Sequence, residues 1–186
     1  MREKMMKVSI PLFDEKGYSE TSIQDIVDCL GVTKGTFYYY YKNKQELLND
    51  INLNFIEYML EQQRTIVSNE NNSGEDKIYH IIFMVISSIR TRKQHARIFI
   101  REMRHMENTN LNEIKQIRKE FKMNIQQLVD DGIKTGEFKH NLKSDIITLG
   151  ILGMMNWTYY WYDPAGEVSA EEVANIFMDM IRTGIK

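Results

Sequence analysis

The chain has 186 residues, 42% of them hydrophobic and 27% charged. That balance excludes a disordered chain and fits one compact domain, or a small module joined to a larger one. The net charge of −2 excludes the strongly basic balance of many nucleic-acid binders, so any DNA-binding charge has to be concentrated locally.

With only 2 Pro and 10 Gly, long uninterrupted helices are possible. The single Cys29 cannot form an internal disulfide and fits a reducing cytosol, hence a cytoplasmic protein. Its place in an apolar helical pattern predicts a buried, inert thiol. The start is basic, but Lys7 and Pro11 interrupt its apolar part, which makes a poor signal peptide. The longest apolar stretch, 146–162, is short for a membrane span and carries Thr148, Asn156 and Thr158. It predicts a buried or interface helix, with no membrane partner.

Taken in chain order, the pattern is helical almost throughout. Met6, Ile10 and Phe13 mark one face of a first helix that stops at Gly17. Pro11 inside it predicts a kink or a late start, because proline removes a backbone donor and clashes with the preceding turn. Thr21 and Gln24 have capping-box spacing and open a second helix. Ile23, Ile26, Val27 and Leu30 share its inner face, and Gly31 is a natural stop. Thr33 caps a short third helix, and Asn43 with Glu46 repeats the cap spacing before a long fourth from Lys44. SNENNSG (68–74) is a loop. A fifth helix carries Ile78, Ile81, Ile82, Val85 and Ile89, and a sixth covers 94–106. A seventh, 111–135, carries Ile114, Ile117, Phe121, Ile125 and Leu128 and ends at Gly136. Ser144 caps an eighth that stops at Asp163-Pro164. Ser169 and Glu172 open a ninth with Val173, Ile176, Phe177, Met180 and Ile181. The fold class is all-α, without a convincing strand or repeat.

The second and third helices, joined at 30–33, have the form of a helix-turn-helix. Gly31 can take positive φ at little cost, and Val32 can fill the gap between the helices. The third helix, 33–40, then presents its N-terminal side chains to the major groove. Lys34 can reach guanine acceptors or a phosphate, Gly35 allows close approach, and Thr36 offers a hydroxyl and a methyl to base edges. Tyr38 and Tyr39 can donate to phosphates, and Lys44 can clamp one. Lys34, Lys42 and Lys44 have no acidic residue among them. Phe37 and Tyr41 fit the core.

At these residues the stretch GYSETSIQDIVDCLGVTKGTFYYYYKNKQELL resembles the N-terminal signature of the tetracycline-repressor (TetR) family. The resemblance implies an all-helical homodimer with about nine helices per chain, a DNA-binding head at 1–46 and an effector-binding and dimerisation domain at 47–186. It makes Thr21 and Ser22 phosphate contacts, Thr33, Lys34, Gly35 and Thr36 base or groove contacts, and Tyr38, Tyr39 and Lys44 phosphate contacts. Pro11 and Tyr41 depart from the family pattern. The implied function is a ligand-responsive regulator, a repressor released from a near-palindromic double-stranded operator by a small apolar effector. An enzyme has little support. Cys29 and the four His residues lack metal-ligand spacing, and no Gly-rich phosphate loop or GxSxG elbow is present. No metal or cofactor is expected.

In the second half, the Met content suits either an adaptable apolar pocket or an ordinary helical core. The basic run 90–104 suits either a solvated face or an anion site for a phosphate-bearing effector. The run NWTYYWYDPAGEVSAEEVANIF (156–177) is similar to a TetR subgroup that includes regulators of fatty-acid degradation, which implies a long-chain acyl-CoA effector. A drug or another hydrophobic metabolite is the alternative, and a ligand-binding protein without DNA affinity is a further one. The candidate pocket is His80, Phe83, Met84, Arg97, Arg101, Met103, Phe121, Met154 and Trp157. Apolar faces of the last two helices fit a homodimer interface, with Trp161, Phe177 and Met180 assigned to it.

Overall fold

The computed structural model describes residues 1–102 and 112–185. Among these it has eight helices and no strand: α1 (Arg2–Lys16), α2 (Ile23–Leu30), α3 (Lys34–Tyr40), α4 (Lys44–Val67), α5 (Gly74–Arg101), α6 (Asn112–Thr135), α7 (Ser144–Trp161) and α8 (Ala170–Ile185). The fifth and sixth expected helices follow one another along α5, divided by a kink at Arg92, whose backbone (φ −129°, ψ 16°) leaves the helical region. α1 runs from Arg2 straight across Pro11, so there is no late start. No described helix is long and apolar enough to cross a membrane.

Contacts divide the chain into two units. One is Met1–Ile56 with the described residues of Gln94–Ile114; the other is Glu57–Lys93 with Lys115–Lys186. The first unit contains the expected head, 1–46, with ten further residues of α4 and the last turns of α5.

The head's core is Met5, Phe13, Ile26, Val27, Phe37, Tyr41, Leu47, Leu48 and Ile51, joined by Ile98 from α5. Each of α1, α2 and α3 is too short to persist alone in water, so this shared burial holds them. Two arginines fasten α5 to α1. Arg97 pairs with Asp14, and Arg101 donates to the carbonyls of Phe13 and Asp14 in α1's last turn. The Phe13 carbonyl also accepts from Gly17 N–H at 3.1 Å, and a cation at this helix end adds to that bond and complements the helix dipole.

In the second unit, the buried Gln63 of α4 donates to the Phe121 carbonyl at 2.9 Å and accepts from Asn124 at 2.9 Å, tying α4 to α6. Glu137 accepts from the Glu75 backbone N–H at 3.0 Å, and Arg182 of α8 pairs with Glu75 at 2.6 Å. The start of α5, the end of α6 and α8 thus meet around one glutamate. Ile151, Met155 and Tyr159 are buried on the inner face of α7. Burial pushes the Tyr159 phenol up to about 12.

Candidate nucleic-acid interface

The α2–α3 turn is built by two caps and one glycine. At the start of α2, the Ser22 hydroxyl accepts from Asp25 N–H at 3.1 Å, and the Asp25 carboxylate accepts from Ser22 N–H at 2.7 Å. This is a capping box one residue later than the expected Thr21–Gln24 pair. The pattern Ser-x-x-Asp marks it in sequence. Chiefly through the Ser22 backbone N–H, Asp25 is held at about 2. At the other end of α2, Gly31 adopts φ 62°, ψ 35°, the left-handed conformation that glycine takes without a Cβ penalty. Val32 then packs on the head core, as expected.

Thr33 caps α3, its hydroxyl accepting from Thr36 N–H at 3.3 Å. The Thr33 and Thr36 hydroxyls are also 3.3 Å apart. Phe37 and Tyr41 are buried, as expected, whereas Tyr38 and Tyr39 are 55% and 81% exposed. Successive helical residues turn by about 100°, so with Phe37 fixed inward the next two rings point out. Tyr41 escapes that rule because it lies beyond the helix in extended conformation (φ −138°). Its hydroxyl donates to Asp50 at 3.1 Å, and burial pushes its phenol up to about 12. Lys34 and Gly35 are exposed and Thr36 half-buried. α3 carries no acidic residue.

Three expected residues sit in surroundings the sequence did not indicate. Thr21 is fully buried, and its hydroxyl donates inward to the carbonyls of Leu12 (3.2 Å) and Gly17 (2.8 Å). Cys29 is exposed rather than buried. Ile26, Val27 and Leu30 set the inner face of α2, and position 29 falls about 110° from its centre. Lys44 is not a free clamp. Its ammonium donates to the carbonyls of Tyr18, Ser19 and Thr21 and lies 4.4 Å from the Tyr18 ring centroid. Burial pulls it below the ordinary lysine range.

The effector residues scatter. Arg97 and Arg101 belong to the head and are bonded to α1. Two further members of the basic run also have partners: Arg92 stacks on Tyr58 at 3.7 Å, and Lys93 donates to the Tyr162 carbonyl at 3.0 Å, capping α7. Phe83 and Met84 on α5, Phe121 on α6 and Met154 on α7 are buried or half-buried in the second unit. His80 is exposed, and Trp157 is 62% exposed. Trp157 lies on the outer face of α7 with Leu149, Tyr160 and Trp161. Met103 lies outside the described residues. Sequence reasoning missed Asp14, because its partner is 83 residues away and no local pattern announces such a pair. Among the described residues no group of His, Cys, Asp and Glu could hold a metal ion.

A turn of this geometry followed by a solvent-facing helix defines a helix-turn-helix protein. Comparison with known proteins gives the family. Residues 6–51 match the model for bacterial regulatory proteins of the tetR family, and 71–185 match the tetracyclin repressor-like C-terminal domain. The chain belongs to the TetR family of regulators. It is 21% identical over 185 residues to the HTH-type transcriptional repressor KstR2 of Mycolicibacterium smegmatis, covering 99% of this chain and 90% of that protein. The solved ketosteroid transcriptional regulator KstR2 of Mycobacterium tuberculosis superposes with a TM-score of 0.87 at 19% identity, covering 100% of this chain and 94% of that one. AibR, solved in complex with isovaleryl coenzyme A and operator DNA, superposes with a TM-score of 0.84 at 21% identity, covering 96% of each chain.

Proposed function

We propose that this protein is a repressor that binds a near-palindromic operator as a homodimer and leaves it when a small apolar effector binds the second unit. The observation that carries the DNA-binding part is α3: an outward row of Lys34, Tyr38 and Tyr39 beside Gly35 and Thr36, with no opposing carboxylate on the helix. Lys34 and Thr36 reach base edges, and the two phenols donate to phosphates. A dimer spaces its two reading helices by roughly 34 Å, one turn of duplex, or a multiple of that. An effector that binds one head spacing better than the other shifts the population and weakens operator affinity.

For the effector we favour a coenzyme A thioester of an apolar acid. Support comes from AibR's isovaleryl coenzyme A complex and from the apolar residues Phe83, Met84, Phe121 and Met154 of the second unit. A second reading has its own observation. Arg97 and Arg101, the cations that would have met a phosphorylated head group, are occupied by α1, which favours an apolar metabolite without phosphates.

Fluorescence anisotropy on DNA from the gene's own upstream region tests both levels. Tight, salt-sensitive binding released by long-chain acyl-CoA supports the full reading. Binding that ignores acyl-CoA but yields to an uncharged lipid or steroid selects the second. If neither the upstream region nor selection from random duplexes yields a bound sequence, the regulator reading fails.

A further inference from the structure

We infer that Lys44 serves DNA binding as a positioning residue that locks the α1–α2 loop, not as a phosphate contact; this deepens the regulator reading and rests on it. An ammonium has three N–H donors and no acceptor. In this structure Tyr18, Ser19 and Thr21 supply three carbonyls, one for each donor. The Tyr18 ring covers a further side of the cation. A phosphate would therefore have to displace a bond already made, at a site whose local carbonyl dipoles already compensate the charge.

The loop so held joins α1 to α2, and Tyr18 within it also packs edge-on against Phe13. Gly17 sits at φ 91°, ψ 152°, outside helical space. From there the chain must reach Ser22, the N-cap of α2, in four residues. Thr21 ties the loop to the end of α1 through Leu12 and Gly17. Lys44 ties it to the start of α4. Tyr18 adds a bond from its hydroxyl to Gln45 at 3.0 Å. The entrance of α2, and with it the angle at which the helix-turn-helix meets DNA, is set by these ties, of which Lys44 makes three bonds.

The arrangement distinguishes ammonium from guanidinium. Arginine is a good phosphate ligand, so a phosphate clamp tolerates Lys44→Arg. The three-carbonyl cage is sized for a compact cation and does not accept a planar fork. Lys44→Met keeps the apolar stem and removes the charge.

The test compares wild type, Lys44→Met and Lys44→Arg on a duplex selected from a random pool by the wild-type protein, across a salt series. Amide hydrogen exchange is read on each free protein. A phosphate contact contributes about 0.9 to the slope of log affinity on log salt. Both variants should bind about tenfold or more weakly, as for loss of charge-assisted bonds, with the wild-type slope. Counterion release counts charges, and the amides and hydroxyls of a shifted loop carry none. The Thr21 amide, bonded to the Gly17 carbonyl at 3.2 Å, should exchange at least tenfold faster in both. A shallower slope in Lys44→Met, near-wild-type binding by Lys44→Arg, or unchanged exchange at Thr21 would each overturn the inference. If wild type selects no duplex, the regulator reading fails, while exchange at Thr21 still decides whether Lys44 holds the loop.

Discussion

Arg97 Nε donates to Asp14 Oδ1 at 2.9 Å, and Nη2 to Oδ2, across 83 residues of sequence. The Asp14 side chain is 3% exposed and that of Arg97 36%. Removing the arginine leaves a buried carboxylate unpaired, the costly direction in which to break an ion pair. Arg97→Ala should destabilise the protein by about 1–3 kcal/mol, below the fully buried range because Arg97 is partly solvated. The double variant Arg97→Ala/Asp14→Ala should lose less than the two single losses combined. Urea unfolding followed by far-UV circular dichroism measures all three, and strictly additive losses would show that the pair is not coupled.

The four consecutive aromatics of α3 should separate stability from binding. Phe37→Ala empties a fully buried site and should cost about 3–5 kcal/mol of stability. Tyr39→Phe, at an exposed ring, should change stability by less than about 0.5 kcal/mol. It should still weaken DNA binding about tenfold, as for a hydrogen bond to a charged group, with the salt slope unchanged because no cation is lost. A thermal melt beside an anisotropy titration checks both. Wild-type affinity in Tyr39→Phe would remove that phenol from the contact set.

The helices and the turn were legible in the sequence because both follow from local signals. Apolar residues recur every three or four positions, Gly31 sits where a left-handed cap is needed, and Thr33, Asn43 and Ser169 stand where hydroxyl or amide caps form. The outward and inward roles of Tyr38, Tyr39, Phe37 and Tyr41 were legible for the same reason. What was not legible is nonlocal. Lys44 meets carbonyls 23 to 26 residues earlier, and carbonyls carry no sequence signature. The basic run reads as one patch in the sequence, yet Arg92, Lys93, Arg97 and Arg101 face different partners: Tyr58, Tyr162, Asp14 and the end of α1. Trp157 could be assigned inward or outward until the burial of Met155 and Tyr159 fixed the inner face of α7.

The capping box of α2 should leave a mark at acid pH. The folded-state pKa of Asp25 is lowered from 3.8 to about 2, so the carboxylate's contribution is fully present above its unfolded value. It fades as pH falls through 4 toward 2. Asp25→Asn removes that dependence. Melting temperature measured from pH 2 to pH 5 should fall more steeply in wild type than in Asp25→Asn, the two curves converging at the acid end. Parallel curves would mean that Asp25 gains nothing from Ser22 in solution.

Among the described residues, the last two helices present an exposed apolar surface. Leu149, Trp157, Tyr160 and Trp161 face outward from α7, and Ile176 and Met180 from α8. Trp161 meets Phe177 across the two helices at 6.4 Å between ring centroids. Gly150 and Gly153 on α7 leave open space where a side chain would stand, which permits close approach of another backbone. An exposed apolar patch of this kind marks an interaction surface, and for a homodimer the same patch serves both copies. Met180→Glu should place an unpaired charge in that interface and raise the dimer dissociation constant at least about 100-fold. Met123→Glu, at an exposed methionine of α6, controls for the added negative charge. Sedimentation equilibrium reads the change directly. Operator affinity should fall with it, since a lone head holds only one half-site. A Met180→Glu protein that stays dimeric at wild-type concentrations would move the dimer interface off this face.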